Sequence, residues 1–171
     1  RSFTVEEELG RLFQIDLDLL SDNPNINFDK IVGEKVTVSV DLLSGEQRFF
    51  NGHVSRFVQS APDGGYARYQ ATLVPWLWLL TRRADCRIFQ KSMPEPPSDM
   101  TAPNIIKKIF NEAGVGDFRA SLNETYPSRD YCVQYRETDF NFVSRLMEQE
   151  GIYYFFEHTQ STHTLVLADS V

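Results

Sequence analysis

Residues 131–156 read YCVQYRETDFNFVSRLMEQEGIYYFF, and this stretch contains the clearest structural pattern of the chain. Apolar residues recur at helical spacing after Thr138, which predicts a helix from about residue 138 to 149 with Thr138 as its cap. Gly151 then supplies the left-handed residue that ends the helix. The predicted apolar face of this helix consists of Phe140, Val143, Leu146 and Met147.

A strand hairpin is predicted directly after this helix. Residues 152–158 and 164–168 are rich in β-forming side chains, and the Thr-Gln-Ser-Thr segment 159–162 has turn composition. Alternate side chains of the run from Tyr153 to Phe156 face opposite ways, so this strand needs a covering layer on both faces. A second helix, predicted from Thr101 to a stop at Gly114, completes an α+β domain.

The first half of the chain alternates apolar and polar residues with period two, which predicts antiparallel strands with one buried face. The pattern covers residues 13–19, 36–42, 47–60 and 66–75, with turns at Ser44-Gly45 and at Pro62-Asp63-Gly64-Gly65. Several short strands at this spacing favour a small barrel. The predicted fold class is therefore mostly β with α+β: a small antiparallel β-barrel followed by an α+β domain.

A proline-rich polar segment divides these two patterns. Residues 91–100 read KSMPEPPSDM, which is typical of an extended linker. The predicted organisation is a β-barrel over residues 1–90, a linker over 91–100 and an α+β domain over 101–171.

Composition limits the partners of the chain. It has 171 residues, 17 Lys plus Arg and 24 Asp plus Glu, which gives a net charge of −7. We expect no nucleic-acid partner and no membrane association in the resting state. Cys86 and Cys132 are too few for a disulfide framework or a zinc cluster, and we expect buried thiols.

Three groups of residues have side chains that could form a chemical site. His158 and His163 flank the predicted hairpin turn, but two imidazoles without a third ligand are weak support for a metal site. Trp76, Trp78 and Tyr69 are better explained as core than as a sugar-binding box. Asp139 and Glu148 are the carboxylates that a hydrolase would use, without an obvious nucleophile beside them. We predict no catalytic, cofactor or metal residues and no enzyme activity.

Three ordered stretches resemble one family of proteins. They are residues 131–156, residues 75–90 with the sequence PWLWLLTRRADCRIFQ, and residues 8–13 with the sequence ELGRLF. All three are similar to the hub region of VgrG proteins, the spike subunits of type VI secretion systems, which are in turn similar to the baseplate hubs of contractile phage tails.

This resemblance implies a structural function. VgrG-like hubs are homotrimers in which each chain contributes two small barrels, and the trimer docks on the hexameric Hcp tube among other baseplate proteins. The resemblance implies that the second barrel, an OB-fold and a needle lie outside this sequence, and that effectors attach through those missing C-terminal regions. It also implies assembly in the cytoplasm, followed by secretion with the spike into the medium or a target cell.

The interface residues expected on this basis lie in the loops of the first barrel and on one strand of the second domain. They are Leu43, Ser44, Gly45, Glu46, Ser60, Ala61, Pro62, Asp63, Gly64, Gly65, Tyr153 and Phe155. Two alternatives stay open: the baseplate hub of a phage or phage-like contractile particle, and, less favoured, a carboxylate-based hydrolase.

Overall fold

The computed structural model of this chain describes residues 2–91, 99–114 and 116–170. The strands are β1 (Ser2–Glu6), β2 (Gln14–Ser21), β3 (Lys35–Asp41), β4 (Gln47–Asp63), β5 (Tyr66–Val74), β6 (Ala84–Gln90), β7 (Asp117–Ser121), β8 (Tyr131–Thr138), β9 (Tyr153–His158) and β10 (His163–Ala168). The α-helices are α1 (Ala102–Ala113) and α2 (Asp139–Glu150), and short 3-10 helices cover Phe28–Lys30 and Trp76–Arg82. None of the described helices has the length and apolar character needed to cross a bilayer.

The chain divides into two compact units, and each unit consists of two segments that are separated in the sequence. The first unit contains Arg1–Pro75 and Phe156–Thr164, and the second contains Trp76–Phe155 and Leu165–Val171. The proline-rich linker predicted over 91–100 falls largely on residues 92–98, which lie outside the described residues. The predicted division at that linker therefore stays a prediction.

The first unit is built on a five-stranded antiparallel sheet in the order β1-β2-β5-β4-β3, which curls into half a barrel. The period-two pattern of the sequence explains this sheet. Ile15 and Leu17 on β2 and Leu73 on β5 are buried, whereas Gln14 and Asp16, which alternate with the two buried residues of β2, are exposed. Edge strand β1 pairs with β2 from Ser2↔Asp18 to Glu6↔Gln14 and was not predicted.

The second unit combines the two α-helices with a β6-β8 ribbon, and a three-stranded sheet has the order β7-β10-β9. Helix α2 begins as predicted: the Thr138 hydroxyl accepts a hydrogen bond from the Asn141 N–H at 3.1 Å. It ends at Gly151, whose φ of +70° is the left-handed conformation expected of a terminating glycine. One detail of its apolar face differs, because Phe142 is buried and Phe140 only half-buried.

The two cysteines differ from each other in exposure. Cys132 is buried, and this burial raises the pKa of its thiol. Cys86 is exposed, so the expectation that both thiols are buried is wrong for Cys86. The alternation of strand β6 explains the difference, because Cys86 and Ile88 are exposed while Phe89 is buried.

A buried carboxylate ties the ribbon of the second unit to its helices. Asp139 is 1% exposed and accepts hydrogen bonds from Gln134 Nε2 at 2.8 Å and from Arg87 at 3.3 Å. Arg83 Nε lies 3.3 Å from the same carboxylate. Arg87 also pairs with Glu112 of α1 at 3.1 Å. Removing one partner of such a buried ion pair leaves an uncompensated charge.

We expect Arg87→Ala to lower the free energy of unfolding by about 3 kcal/mol, because Asp139 then keeps only Arg83 and Gln134 as partners. The measurement is urea unfolding followed by circular dichroism. Arg11→Ala is the control: Arg11 pairs with Glu8 at 3.0 Å in an exposed position, and its loss should cost less than about 1 kcal/mol. Equal losses for the two variants would show that the Asp139 cluster is not a stabilising centre.

Candidate interface and histidine cluster

The loop between β3 and β4 presents leucine side chains to solvent. Leu43 is fully exposed, at 110% of its reference area, and Leu42 is 42% exposed. The loop is nevertheless ordered by its own hydrogen bonds: Leu42 N–H donates to Glu46 O at 2.8 Å, and Gly45 N–H donates to Leu42 O at 2.9 Å. Gly45 has a φ of +85°, which glycine adopts without strain. The loop therefore presents two neighbouring leucine side chains on an ordered backbone, which makes it a candidate for a protein contact.

The loop between β4 and β5 is shorter than predicted. Pro62 and Asp63 belong to β4, and only Gly64 and Gly65, with φ of +59° and +87°, form the turn. A register shift separates Ser60 from Asp63 in the pairing with β5. Pro62 lies within this bulge, where its missing N–H costs no ladder hydrogen bond.

These two loops do not lie together. Strand β4 has 17 residues; the 42–46 loop precedes its first residue and the Gly64-Gly65 turn follows its last. They are separated by roughly 50 Å of extended chain before curl and bulges are taken into account. A partner would have to extend over much of that length to contact both loops at once.

The predicted interface residues of β9 are only partly available. Tyr153 and Phe155 are half-buried, whereas Tyr154 and Phe156 are buried, in the alternation that the sequence predicts. The Tyr153 hydroxyl donates a hydrogen bond to Ser170 O at 2.7 Å. Each of these two side chains thus already packs partly within the chain.

The histidines of the chain number 3, and they gather in the first unit. The ring of His163 lies 5.7 Å from His53 and 6.2 Å from His158, centroid to centroid. Phe13 packs against this cluster, with its ring 4.9 Å from His158 and 5.0 Å from Phe156. No local sequence pattern indicates that His53 or Asn51 belongs to this cluster.

Asn51 organises the cluster. Its main-chain N–H donates to His158 Nδ1 at 2.9 Å, and its side-chain amide donates to Thr37 Oγ1 at 2.7 Å. Its side-chain oxygen lies 2.8 Å from His163 Nδ1, which must therefore carry a proton. Because His158 Nδ1 accepts the hydrogen bond from Asn51, the ring N–H of His158 is at Nε2, which lies 3.6 Å from Glu7 Oε1.

Burial keeps His163 neutral. The residue is 1% exposed, and its pKa is lowered to about 3, first by burial and then by its electrostatic interactions with the His53, His158 and Lys35 side chains. Within the described residues, no three His, Cys, Asp or Glu side chains are arranged to hold a metal ion. The cluster is best explained as a structural network that fixes hairpin residues 156–164 in the first unit.

The carboxylates of the hydrolase hypothesis are not arranged for catalysis. Asp139 is buried among arginines, and Glu148 is exposed. Nine residues separate them on α2, which corresponds to about 13 Å of rise and opposite helix faces. Paired glycosidase carboxylates lie about 5–9.5 Å apart across one substrate. Trp76 and Tyr69, from the alternative sugar box, are each 1% exposed and belong to the core.

Known proteins resemble this chain over nearly its whole length. Residues 6–171 match the family model described as phage tail baseplate hub (GPD). The type VI secretion system spike protein VgrG1a of Pseudomonas aeruginosa is 51% identical over 164 residues, which is 96% of this chain and 24% of the relative. The chain thus spans about a quarter of the length of that relative.

Solved structures share the fold. One is the E. coli c3393 protein, described as a component of the type VI secretion system with structural similarity to the T4 bacteriophage tail proteins gp27 and gp5. It has a TM-score of 0.83 and 27% identity, over 98% of this chain and 45% of that one. A tail protein from Neisseria meningitidis MC58 has a TM-score of 0.57 and 12% identity, over 95% and 44% of the two chains, and shows the fold alone.

The curled β unit, the second unit with its two helices and the likeness to the c3393 protein define the hub fold of contractile-tail proteins. The chain belongs to the phage tail baseplate hub (GPD) family. The resemblance predicted from the sequence is confirmed, as is the predicted fold class.

The neutral state of His163 predicts a specific dependence of stability on pH. Its folded pKa of about 3 lies below the unfolded value of 6.5, so the unfolded chain binds more protons between these values. The stabilising contribution is complete above pH 6.5 and is lost as pH falls toward 3. Between pH 7 and pH 5 we expect a loss of about 2 kcal/mol from this residue.

Urea unfolding of the wild type and of His163→Gln at both pH values measures this loss. Glutamine keeps a donor for Asn51 but does not titrate, so the variant should lose about 2 kcal/mol less than the wild type between pH 7 and pH 5. An identical pH dependence in the two proteins would contradict the assignment.

Proposed function

We propose that this chain forms the N-terminal part of the hub of a trimeric type VI secretion spike, where it docks on a hexameric, Hcp-like tube ring. One observation carries the proposal: a curled antiparallel sheet with a fully exposed leucine on an ordered loop occurs in a chain 51% identical to a spike protein. The full-length spike continues into a second barrel, an OB-fold and a puncturing needle.

Symmetry is the physical reason for this architecture. A threefold spike matches a sixfold ring only if each chain presents two similar surfaces, and two barrels in each of three chains provide six. The first unit of this chain would be one of those surfaces. Further baseplate proteins surround such a hub.

The loop at residues 42–46 is the better candidate for the tube contact. Leu43 buries none of its apolar surface within the chain, whereas the small side chains of Ala61 and Pro62 offer a partner little apolar area. Because the two loops lie at opposite ends of β4, residues 60–65 would face a different neighbour in the particle. Tyr153 and Phe155 remain proposed contacts for adjacent parts of the hub.

The proposed role is structural rather than enzymatic. The buried, arginine-bound Asp139 supports this, because its carboxylate is committed to the fold. Effectors would attach through the C-terminal regions that lie outside this chain. The spike would assemble in the cytoplasm and leave the cell with the tube, reaching the medium or a target cell.

A phage or phage-like particle is the second candidate, favoured by the match to the phage tail baseplate hub family. The higher identity to a secretion spike favours a secretion system. Neighbouring genes separate the two: sheath, tube and ATPase genes of a secretion system in one case, capsid genes in the other.

Replacing Leu43 tests the docking loop. We expect Leu43→Asp to weaken binding of the full-length spike to tube rings at least tenfold, because a charge would have to be desolvated at the contact. Co-sedimentation with purified tube rings measures the affinity. The fully exposed Leu43 contributes no packing, so the free energy of unfolding should change by less than about 0.5 kcal/mol.

Val32→Asp is the matched control, since Val32 is an exposed apolar residue outside the proposed loop, at 46%. This variant should bind tube rings like the wild type. Unchanged binding by Leu43→Asp would remove the 42–46 loop from the proposal.

Oligomeric state tests the hub itself. The full-length protein should have the mass of a trimer in light scattering at micromolar concentration, and a monomer would contradict the proposed function. For residues 1–171 alone we expect at most weak association, because the needle that intertwines the chains is missing.

A further inference from the structure

The β6-β8 ribbon of the second unit has an uncovered apolar face. Its pairing includes Cys86↔Tyr135, Ile88↔Val133 and Gln90↔Tyr131, and alternation places these six side chains on one face. Ile88 is 49% exposed, Tyr131 56% and Tyr135 66%. The opposite face, with Phe89 and Cys132, is buried. We call this exposed set the ribbon face.

An arginine in an unusual conformation lies beside the ribbon face. Arg136 has a φ of +50°, in the left-handed region that non-glycine residues adopt at a cost of about 1–2 kcal/mol. It occupies the position at which the register shifts between Asp85 and Cys86, as an extra residue in β8. Its guanidinium lies 5.3 Å from the Tyr135 ring centre. Within the described residues it makes no ion pair.

The ribbon face has two exposed tyrosines, and Arg136 lies next to one of them, Tyr135. Tyrosine and arginine are enriched at the energetically important centres of protein interfaces. The chemistry that complements this surface is an apolar side chain next to a carboxylate. Arg136 supplies the charge contact, and the aromatic rings supply the apolar area.

Residues 6–9 of the same chain carry that complementary chemistry. They read EEEL, and Leu9 is 68% exposed. Glu8 pairs with Arg11 and Glu7 lies near His158, but Glu6 makes no ion pair in the described part of the chain. Glu6 is also the last residue of edge strand β1.

The leucine at position 43 is the competing candidate. The carboxylates nearest to it are already engaged within their own hairpin: Asp41 accepts a hydrogen bond from Gln47, and Glu46 accepts one from Ser44. Glu6 has no such partner among the described residues. Charge complementarity therefore favours residues 6–9.

We propose that the ribbon face of one copy binds residues 6–9 of a second copy, with Leu9 against Tyr131 and Tyr135 and with Glu6 paired to Arg136. Two different surfaces meet in this contact, so it is head-to-tail, and repetition of such a contact closes into a ring when the rotation permits. The inference rests on the proposed trimer and assigns a contact between its subunits.

The exposed Cys86 provides a direct test, because it lies on the ribbon face. In the full-length protein, Leu9→Cys should form a disulfide with Cys86 of a neighbouring copy under mild oxidation with diamide. Non-reducing electrophoresis should show linked dimers and trimers in at least tenfold excess over the wild type. Adding Cys86→Ser to this variant should abolish them, since Cys132 is buried.

Leu43→Cys is the matched control, since it places a thiol on another loop at a position that is more exposed than Leu9. It should not link to Cys86. Linking by Leu43→Cys but not by Leu9→Cys would overturn the assignment of residues 6–9 and indicate the 42–46 loop instead.

Charge reversal tests the ion pair independently. We expect Arg136→Glu to raise the dissociation constant of the assembled protein at least tenfold, and Glu6→Arg combined with it to restore most of the loss. Arg136→Gly is the control for the backbone, because glycine accepts the positive φ while removing the side chain. This control should weaken assembly less than Arg136→Glu does. If Arg136→Glu combined with Glu6→Arg assembled no better than Arg136→Glu alone, the proposed pairing of Glu6 with Arg136 would be wrong.

Light scattering separates the two proposals. If the protein is a trimer and Leu9→Cys forms no link to Cys86, the contact is wrong and the hub function stands. If the wild-type protein is a monomer, the hub function and the contact are both wrong.

Discussion

The first unit depends on the hydrogen bonds of one buried residue. Asn51 is 1% exposed and engages its main-chain N–H and both polar atoms of its side chain. A buried polar group left without its partner costs about 1–3 kcal/mol, and a half-satisfied network is worse than none. The network also fixes the hairpin register, because a slip of one residue would turn His158 and His163 to the opposite faces of their strands. Phe13 and Phe156 can therefore pack in only one arrangement.

The second unit depends on a buried charge rather than on neutral hydrogen bonds. Asp139 is a buried carboxylate compensated by Arg83 and Arg87, and the bridges of Arg87 join β6 to both helices. Arg136 instead lies beside the exposed ring of Tyr135 and makes no ion pair within the described residues. Although the net charge is −7, the arginines have two different roles. Arg83 and Arg87 stabilise the fold, and Arg136 is available to a partner.

Local patterns in the sequence predicted most of the elements but few of the long-range contacts. Period-two alternation located β2 to β5, and Thr138 with Gly151 bounded α2, because these signals depend on neighbouring residues only. Strand β1 was missed because its alternation is short and is followed by charged residues. The burial of Phe142 in place of Phe140 depends on the ring of Phe89, which stacks on it at 5.5 Å from a distant strand.

The candidate site was harder to predict from the sequence than the fold. Loops around Ser44-Gly45 and Gly64-Gly65 follow from glycine conformations, but their positions at opposite ends of β4 require the strand length. Asn51 looked like an ordinary polar residue of a strand, because its histidine partners lie 107 and 112 residues later. The exposure of Cys86 likewise depends on which face of the ribbon the helices cover.

The first unit is built from two segments that are far apart in the sequence, and this affects its folding during synthesis. Residues 156–164 belong with the first 75, so a ribosome must make roughly 80 intervening residues before this unit can be completed. At about 5–20 residues per second this takes several seconds. During that time Phe13 and Asn51 lack the hairpin that covers them, and the nascent chain offers apolar surface and free strand edges to chaperones. Interruption of translation within that interval would release a sheet that cannot finish folding.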